Sequence, residues 1–165
     1  MNFFSHVKKY LWSLLFLVIQ LSFFNVFHVG GVTPSLLLVL VVGYIFFSQQ
    51  PSAGLFLWSG FLIDIFFYPG FGIGILTLII IGFLFSKLVK RFLFQSHLLV
   101  FLGSIFLVTF LYHFLVWGIS HGLPFLLTNI SVVNLPSFVF IIGQSLYNIG
   151  IALIVFFLFN KKYLQ

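Results

Sequence analysis

Six long apolar segments dominate the chain, and short stretches rich in Gly, Pro and Asn separate them. A helix that crosses a hydrocarbon core of about 30 Å needs roughly 20 residues, and somewhat fewer where flanking residues reach the interface. The segments that meet this requirement are residues 10–28, 34–48, 52–67, 73–88, 98–117 and 136–159. With 62% hydrophobic and 5% charged residues, the composition lies far outside the range of soluble domains. The sequence therefore predicts an all-α membrane protein, with six transmembrane helices in one compact bundle that spans residues 1–165 as a single domain.

The connections between these segments contain turn-forming residues. The stretch 30–34 ends the first segment, and Pro34 suits the first turn of the helix that follows. Residues 49–51 interrupt the apolar run, and residues 68–72 reverse the chain. Residues 118–135 contain too many Gly, Pro and Asn residues for a clear span, which predicts an external loop, partly re-entrant in an alternative interpretation.

Lys and Arg occur in three short clusters at the ends of apolar segments. The clusters are Lys8 and Lys9, then Lys87, Lys90 and Arg91, then Lys161 and Lys162. The connections at 30–35, 68–72 and 118–135 have none. Because Lys and Arg mark the cytoplasmic side of a membrane protein, all three clusters and both termini are predicted to be cytoplasmic. Four spans separate the first two clusters and two spans separate the last two, and these even numbers agree with that placement.

Several classes of chemistry lack the residues that they require. The chain has no Cys, which excludes disulfides, thiolate metal sites and Cys nucleophiles. The basic clusters are topology signals and predict no nucleic-acid binding. The His residues are too scattered for a metal site and are predicted to be interfacial or in loops: His6, His28, His97, His113 and His121. No motif positions a Ser–His–Asp catalyst, so the sequence predicts no catalytic residue, metal or cofactor.

Asp64 is the single acidic residue of the chain, and it lies in the apolar stretch WSGFLIDIFF just before the 68–72 turn. Two interpretations are open. A carboxylate inside a membrane is by default a functional site, such as a proton relay, a cation ligand or a contact for a partner's Arg or Lys. Alternatively, it folds over the turn onto the free amides that open the fourth helix and staples two helices together. Gly60 is on the same helix face, where a missing side chain lets a neighbouring helix approach.

Polar residues also interrupt the first and last apolar segments. They are Gln20, Ser22 and Asn25 in the first segment, and Gln144, Ser145 and Asn148 in the last. Such residues more often form hydrogen bonds between helices than line a ligand site. Because Gln144 and Asn148 are four residues apart, they share a helix face, which is predicted to turn inward or toward a partner protein.

Several of these residues occur in an order that resembles the family of the rod shape-determining protein MreD. The order is Pro34-Ser35 at the start of a span, Gly60 and Asp64 in a G-x-x-x-D segment, Pro69 and Gly72 in a P-x-x-G turn, then an apolar helix that ends in Lys87–Arg91. Residues 135–137 and 147–148 are also similar to the family's last span, so the resemblance covers essentially the whole chain. By this resemblance the Pro, Gly and Asp residues of the order are signature positions without an assigned catalytic role.

The resemblance implies a non-catalytic scaffold subunit of the bacterial cell-elongation machinery in the cytoplasmic (inner) membrane. Such a subunit binds MreC and acts with RodA, a class B penicillin-binding protein and MreB in lateral peptidoglycan synthesis. The alternative function is the substrate-binding S component of an energy-coupling-factor vitamin transporter, whose fold the MreD family is thought to resemble. Against this alternative, the coupling surface of S components uses Ala-rich stripes on the first span, and residues 10–28 contain no Ala.

Overall fold

The computed structural model describes residues 3–23, 32–47, 53–67, 71–92, 98–122 and 133–159. They form the helices α1 (Phe3–Phe23), α2 (Leu36–Phe47), α3 (Ala53–Phe67), α4 (Ile73–Phe92), α5 (Leu98–Gly122) and α6 (Phe138–Phe159). No β-strand occurs within these ranges. The prediction of an all-helical chain is therefore confirmed for the described residues.

One helix falls on each predicted span, with differences at the ends. α1 begins at Phe3, because residues 3–9 contain no Gly or Pro that would stop a helix. α5 includes residues 118–122, which the sequence assigns to the external loop. Ser120 explains this extension, since its buried hydroxyl donates to the Trp117 carbonyl at 2.9 Å and accepts from the Val133 amide at 3.2 Å. The 49–51 turn, the Lys161 and Lys162 cluster and most of the predicted loop lie outside the described residues.

α2 is the centre of the bundle. Within the described ranges it is the one helix that packs against all five others. Its side chains are almost entirely enclosed, and Leu37, Val39, Val41 and Val42 are each 0% exposed. A helix that is apolar on every side belongs in an interior, and the other helices provide one for α2. Its first residues are therefore buried as well, which leaves its free backbone amides away from water.

The surface of the bundle is apolar, and its interior contains polar side chains. Leu99 and Val139 are 81% and 80% exposed, and many other large apolar side chains share this surface. Among the residues that the structure describes, the buried polar ones are Ser13, Ser35, Ser59, Asp64, Thr77, Ser104, Thr109, His113, Ser120, Gln144, Ser145 and Asn148. A soluble monomer rarely exposes so much contiguous apolar surface, whereas a lipid bilayer solvates it.

Within the described residues, two helices are long and apolar enough to cross a membrane by themselves. They are Leu98–Gly122 and Phe138–Phe157. Shorter apolar helical stretches occupy Ser13–Ser22, Leu36–Phe47, Ala53–Phe67 and Ile73–Leu88. The two long helices and the apolar surface point to a membrane protein.

α3 and α4 pack closely because glycines occur at two of their contacts. At one contact, a Cβ atom added to Gly82 would lie 2.3 to 2.8 Å from ring atoms of Phe56. At the other, a Cβ atom on Gly60 would lie 2.5 Å from the Cα atom of Ile75. Neither glycine position has room for a side chain. The two glycines therefore allow α3 and α4 to lie this close together.

Replacing Gly82 tests this packing against a matched glycine in α5. We expect Gly82→Ala to lower the free energy of unfolding by about 1–3 kcal/mol, because the new methyl overlaps the Phe56 ring. Gly103 has no neighbouring atom within 4 Å of a Cβ position, so Gly103→Ala should be neutral or stabilise by up to about 1 kcal/mol. Thermal unfolding of both variants in detergent measures the difference. Equal Tm values for the two variants would contradict the close α3–α4 contact.

Candidate functional site

The carboxylate of Asp64 accepts hydrogen bonds from the backbone at the start of α4. Asp64 is 3% exposed and lies near the end of α3. Its Oδ1 accepts from the Gly74 amide at 2.5 Å, and its Oδ2 accepts from the amides of Gly72 at 3.0 Å and Ile75 at 3.1 Å. We call these four residues, together with Gly60, the hairpin clasp.

The clasp satisfies donors that a helix cannot satisfy itself. The first amides of a helix have no intrahelical acceptor, and they carry the positive end of the helix dipole. A buried carboxylate needs hydrogen bonds or an opposite charge, and the start of α4 provides three N–H donors for Asp64. This confirms the second interpretation of Asp64, in which the carboxylate folds over the turn and staples α3 to α4.

The glycines of the clasp let the carboxylate reach these donors. Gly72 has a φ of 107°, a conformation that glycine adopts without steric cost. A Cβ atom on Gly74 would lie 2.8 Å from Oδ1 of Asp64 and 2.9 Å from Cγ2 of Ile63. The backbone of Gly72 and Gly74 therefore lies directly against the carboxylate, with no side chain of these residues in between. Pro69, the remaining signature residue of this segment, lies outside the described residues.

The start of α2 is also capped, by side chains from distant parts of the chain. Oδ1 of Asn148 in α6 accepts from the Ser35 amide at 2.8 Å. Oε1 of Gln20 in α1 accepts from the Leu37 amide at 3.3 Å. Pro34 is buried directly before them and has no N–H that needs an acceptor. We call Gln20, Pro34, Ser35, Leu37 and Asn148 the central cap.

The central cap continues into polar contacts between α5 and α6. The side-chain amide of Asn148 donates to the Thr109 hydroxyl at 3.0 Å, and that of Gln144 donates to the Thr33 carbonyl at 2.8 Å. Oε1 of Gln144 pairs with Nε2 of His113. Because the Gln144 nitrogen is committed to a carbonyl, its oxygen must face His113, and Nε2 of His113 is the donor. Side-chain amides therefore tie the start of α2 to both α5 and α6.

The polar face of α6 turns inward. Gln144 is 9% exposed and Asn148 is 0% exposed, and both bond to other helices. Gln20 was expected to form an interhelical hydrogen bond, and its bond to the Leu37 amide confirms this. Asn25 lies outside the described residues.

His113 corrects the expectation that the histidines are interfacial or in loops. It is buried within α5 and faces Gln144. The signal in the sequence is its spacing, since Thr109 and His113 are four residues apart, as are Gln144 and Asn148. Between α5 and α6, His113 pairs with Gln144 and Thr109 pairs with Asn148. The sequence of one long apolar helix does not show which neighbouring helix it will pack against.

The clasp and the central cap use their polar groups to position helices. Within the described ranges, no group of three or more His, Cys, Asp or Glu side chains could hold a metal ion. Two buried polar atoms in those ranges have no hydrogen-bond partner, Nε1 of Trp58 and Oγ of Ser59. The Trp58 ring stacks on Phe61 and meets Tyr10 edge to face. The hydrogen bonds of the two sites hold the starts of α2 and α4 in place.

Replacing Asp64 tests the clasp. Asp64→Asn keeps one carbonyl oxygen but places an NH₂ group against backbone donors, so we expect it to lower the free energy of unfolding by about 1–3 kcal/mol. Asp64→Leu leaves three backbone donors without an acceptor and should cost more, about 3–5 kcal/mol. Unfolding in detergent measures both. Equal and total loss of cellular function in the two variants, with the fold intact, would instead indicate a role for the negative charge itself.

Replacing Asn148 tests the central cap. Asn148→Leu removes the acceptor of the Ser35 amide and the donor to Thr109, so we expect a loss of about 1–3 kcal/mol in unfolding free energy. Ser145→Ala is the matched control, because the bond that the described residues give the buried Ser145 hydroxyl lies within α6, to the Ile141 carbonyl at 2.8 Å. It should cost less than about 1 kcal/mol. Similar losses in both variants would argue against a capping role for Asn148.

Comparisons with known proteins identify no relative of the chain. No family model matches the chain, and no curated protein or solved structure matches it either. The proposed function therefore rests on the contacts of the clasp and the central cap.

Proposed function

We propose that the chain is a multi-pass protein of the bacterial cytoplasmic membrane and that all six helices cross the bilayer. The apolar surface and the lengths of α5 and α6 support this proposal. α2 has 12 residues, which is roughly 18 Å of helix and shorter than a hydrocarbon core of about 30 Å. Its central position supplies protein neighbours on every side, so α2 does not have to match the thickness of the lipid.

The proposed orientation places both helix caps on the outer side. Gln20 lies near the end of α1 and bonds at the start of α2, while Asp64 lies near the end of α3 and bonds at the start of α4. In the proposed arrangement α2 and α4 run in the same direction, so their starts face the same side of the bilayer. Lys87 lies near the end of α4, at the opposite end. The positive-inside rule assigns that end, and with it both termini, to the cytoplasm.

Within this membrane we propose a non-catalytic scaffold role in the cell-elongation machinery, as the MreD resemblance implies. The observation that carries the proposal is the hairpin clasp. Gly60, Asp64 and Gly72 are three signature positions of the resemblance, and all three meet in this one place. Each serves to hold α3 against α4. A scaffold requires such fixed helix positions, because it acts through the shape of its surface.

The proposed mechanism is that the clasp shapes a surface on α3 and α4 for the transmembrane helix of MreC. Next to the clasp, Phe61 and Ile65 of α3 are exposed, as are Phe71 and Leu76 at the start of α4. The rings of Phe61 and Phe71 meet edge to face with centroids 5.9 Å apart, so the two sides form one continuous surface. Opening the clasp would separate them. RodA, the class B penicillin-binding protein and MreB complete the proposed set of partners.

The interior of the bundle favours the scaffold over the transporter alternative. A vitamin pocket needs polar groups that remain free for a ligand. The side-chain amides of Gln20, Gln144 and Asn148 are instead bonded to groups of this chain. The alternative becomes one outcome of the partner experiment described below.

Cysteine labelling tests the proposed orientation, and the chain is convenient for it because it contains no Cys. A membrane-impermeant maleimide should label Ser131→Cys in intact cells. Ser5→Cys and Lys162→Cys should be labelled only after the membrane is permeabilised, because the positive clusters are expected in the cytoplasm. Labelling of the 118–135 loop from the cytoplasmic side would overturn the six-span arrangement.

Affinity purification from native membranes in mild detergent tests the scaffold role. Mass spectrometry should find MreC, RodA or a penicillin-binding protein with the wild-type chain. Asp64→Leu should reduce the recovery of MreC several-fold, and Asp64→Asn should reduce it less, because an amide still accepts from backbone donors. Gly103→Ala is the control and should retain MreC. Recovery of paired ABC-type ATPases with a second membrane subunit would overturn the scaffold and indicate a vitamin-capture component.

A further inference from the structure

The end of α4 carries positive charge that no Asp or Glu of this chain can neutralise. Lys87, Lys90 and Arg91 lie close to the end of α4 at Phe92. The chain has 7 Lys and Arg residues but only 1 acidic residue. That residue is Asp64, whose carboxylate bonds to the start of α4, roughly 18 Å along the helix axis from Lys87. No other Asp or Glu side chain of the chain is available to pair with this charge.

The exposed surface of α4 changes from apolar to positive over one helical turn. Phe83 is 60% exposed, Leu84 and Leu88 are each 44% exposed, and Lys87 is exposed beside them. Positions 83 and 87 are one turn apart and share a face, as do positions 84 and 88. Nζ of Lys87 lies 4.2 Å from the centroid of the Phe83 ring. This contact holds the ammonium group at the border between the apolar surface and the charged end of the helix.

We propose that this surface binds the phosphate group of an anionic phospholipid. Phe83 and Leu84 would contact the acyl chains, while Lys87 would meet the headgroup. Lys90 and Arg91 occupy the last turn of the same helix and add to its positive charge. Lys and Arg residues are attracted to an anionic leaflet.

The apolar half of the surface distinguishes a lipid from other anions. A free phosphate ion would meet the charges but would leave Phe83 and Leu84 without a contact. An acidic protein segment would likewise use only the charged half. A phospholipid has apolar acyl chains and an anionic headgroup in one molecule. They follow each other in the same order as the apolar and the positive residues along α4.

Positive residues at this end of α4 also have an intramolecular role. They complement the negative end of the helix dipole, whatever lipid is present. A dependence on the lipid headgroup therefore separates lipid binding from this structural contribution. The inference rests on the membrane placement proposed above and does not depend on the scaffold role or on MreC.

The test compares two variants that remove the same number of positive charges. One is Lys87→Gln/Lys90→Gln/Arg91→Gln, and the control is Lys8→Gln/Lys9→Gln/Lys161→Gln. Each purified full-length chain is titrated in neutral detergent with phosphatidylglycerol or with phosphatidylcholine. Native mass spectrometry measures the bound lipid. We expect phosphatidylglycerol to bind the wild-type chain more tightly than phosphatidylcholine, and the α4 variant to bind it at least about tenfold more weakly, with less than about a twofold change in the control.

Three results would overturn the proposal. Equal binding of the two lipids to the wild-type chain would show that the headgroup charge is not recognised. Equal loss in the α4 variant and the control would show a response to net charge alone. Competition by millimolar inorganic phosphate would show a free-anion site. Should the α4 variant fail to fold, Lys87→Arg/Lys90→Arg keeps the charge and must keep the lipid, and the wild-type affinity for phosphatidylglycerol must fall with added salt.

Discussion

A helix that begins inside an apolar bundle has free backbone amides that water cannot reach, and this constraint organises the protein. Each buried donor without an acceptor costs about 1–3 kcal/mol, against a total stability of about 5–15 kcal/mol for a typical domain. α2 and α4 both begin in this way. The chain meets the requirement with a carboxylate at α4 and with two side-chain amides at α2. These few polar groups fix where each helix starts and which helices surround it.

The two caps differ in how far along the chain their partners lie. Asp64 is 8 to 11 residues from the amides that it accepts, so the clasp can form within a single pair of helices. Asn148 is 113 residues from Ser35, so the central cap forms only when α6 has packed beside α2. In lipid, where apolar burial does not drive helices together, such polar contacts and close packing decide the arrangement. The clasp is thus local, and the central cap closes the whole bundle.

This division of roles relates the fold to the proposed function. The polar groups of the clasp and the central cap bond to one another and to backbone, while the surface is apolar along α3, α4 and α6. The proposed scaffold role relies on the shape and composition of these outer faces. The two proposed ligands, a partner's transmembrane helix on α3 and α4 and a phospholipid at the end of α4, both bind such outer faces. Both depend on helices that are held in fixed positions from within.

The sequence by itself determined the helical fold class and the approximate place of each helix, and it gave the contact of Asp64 with the start of α4 as one of two interpretations. These features are local, because a long apolar run, a Pro-Gly turn and a carboxylate one turn away act within about 20 residues of chain. Only the tertiary structure decided that α2 is central and that His113 faces Gln144. The physical reason is that α2 and α5 are apolar on nearly every side, so their own residues do not mark which face meets which neighbour. Contacts across the bundle, such as Asn148 with Ser35 and Thr109, make that choice.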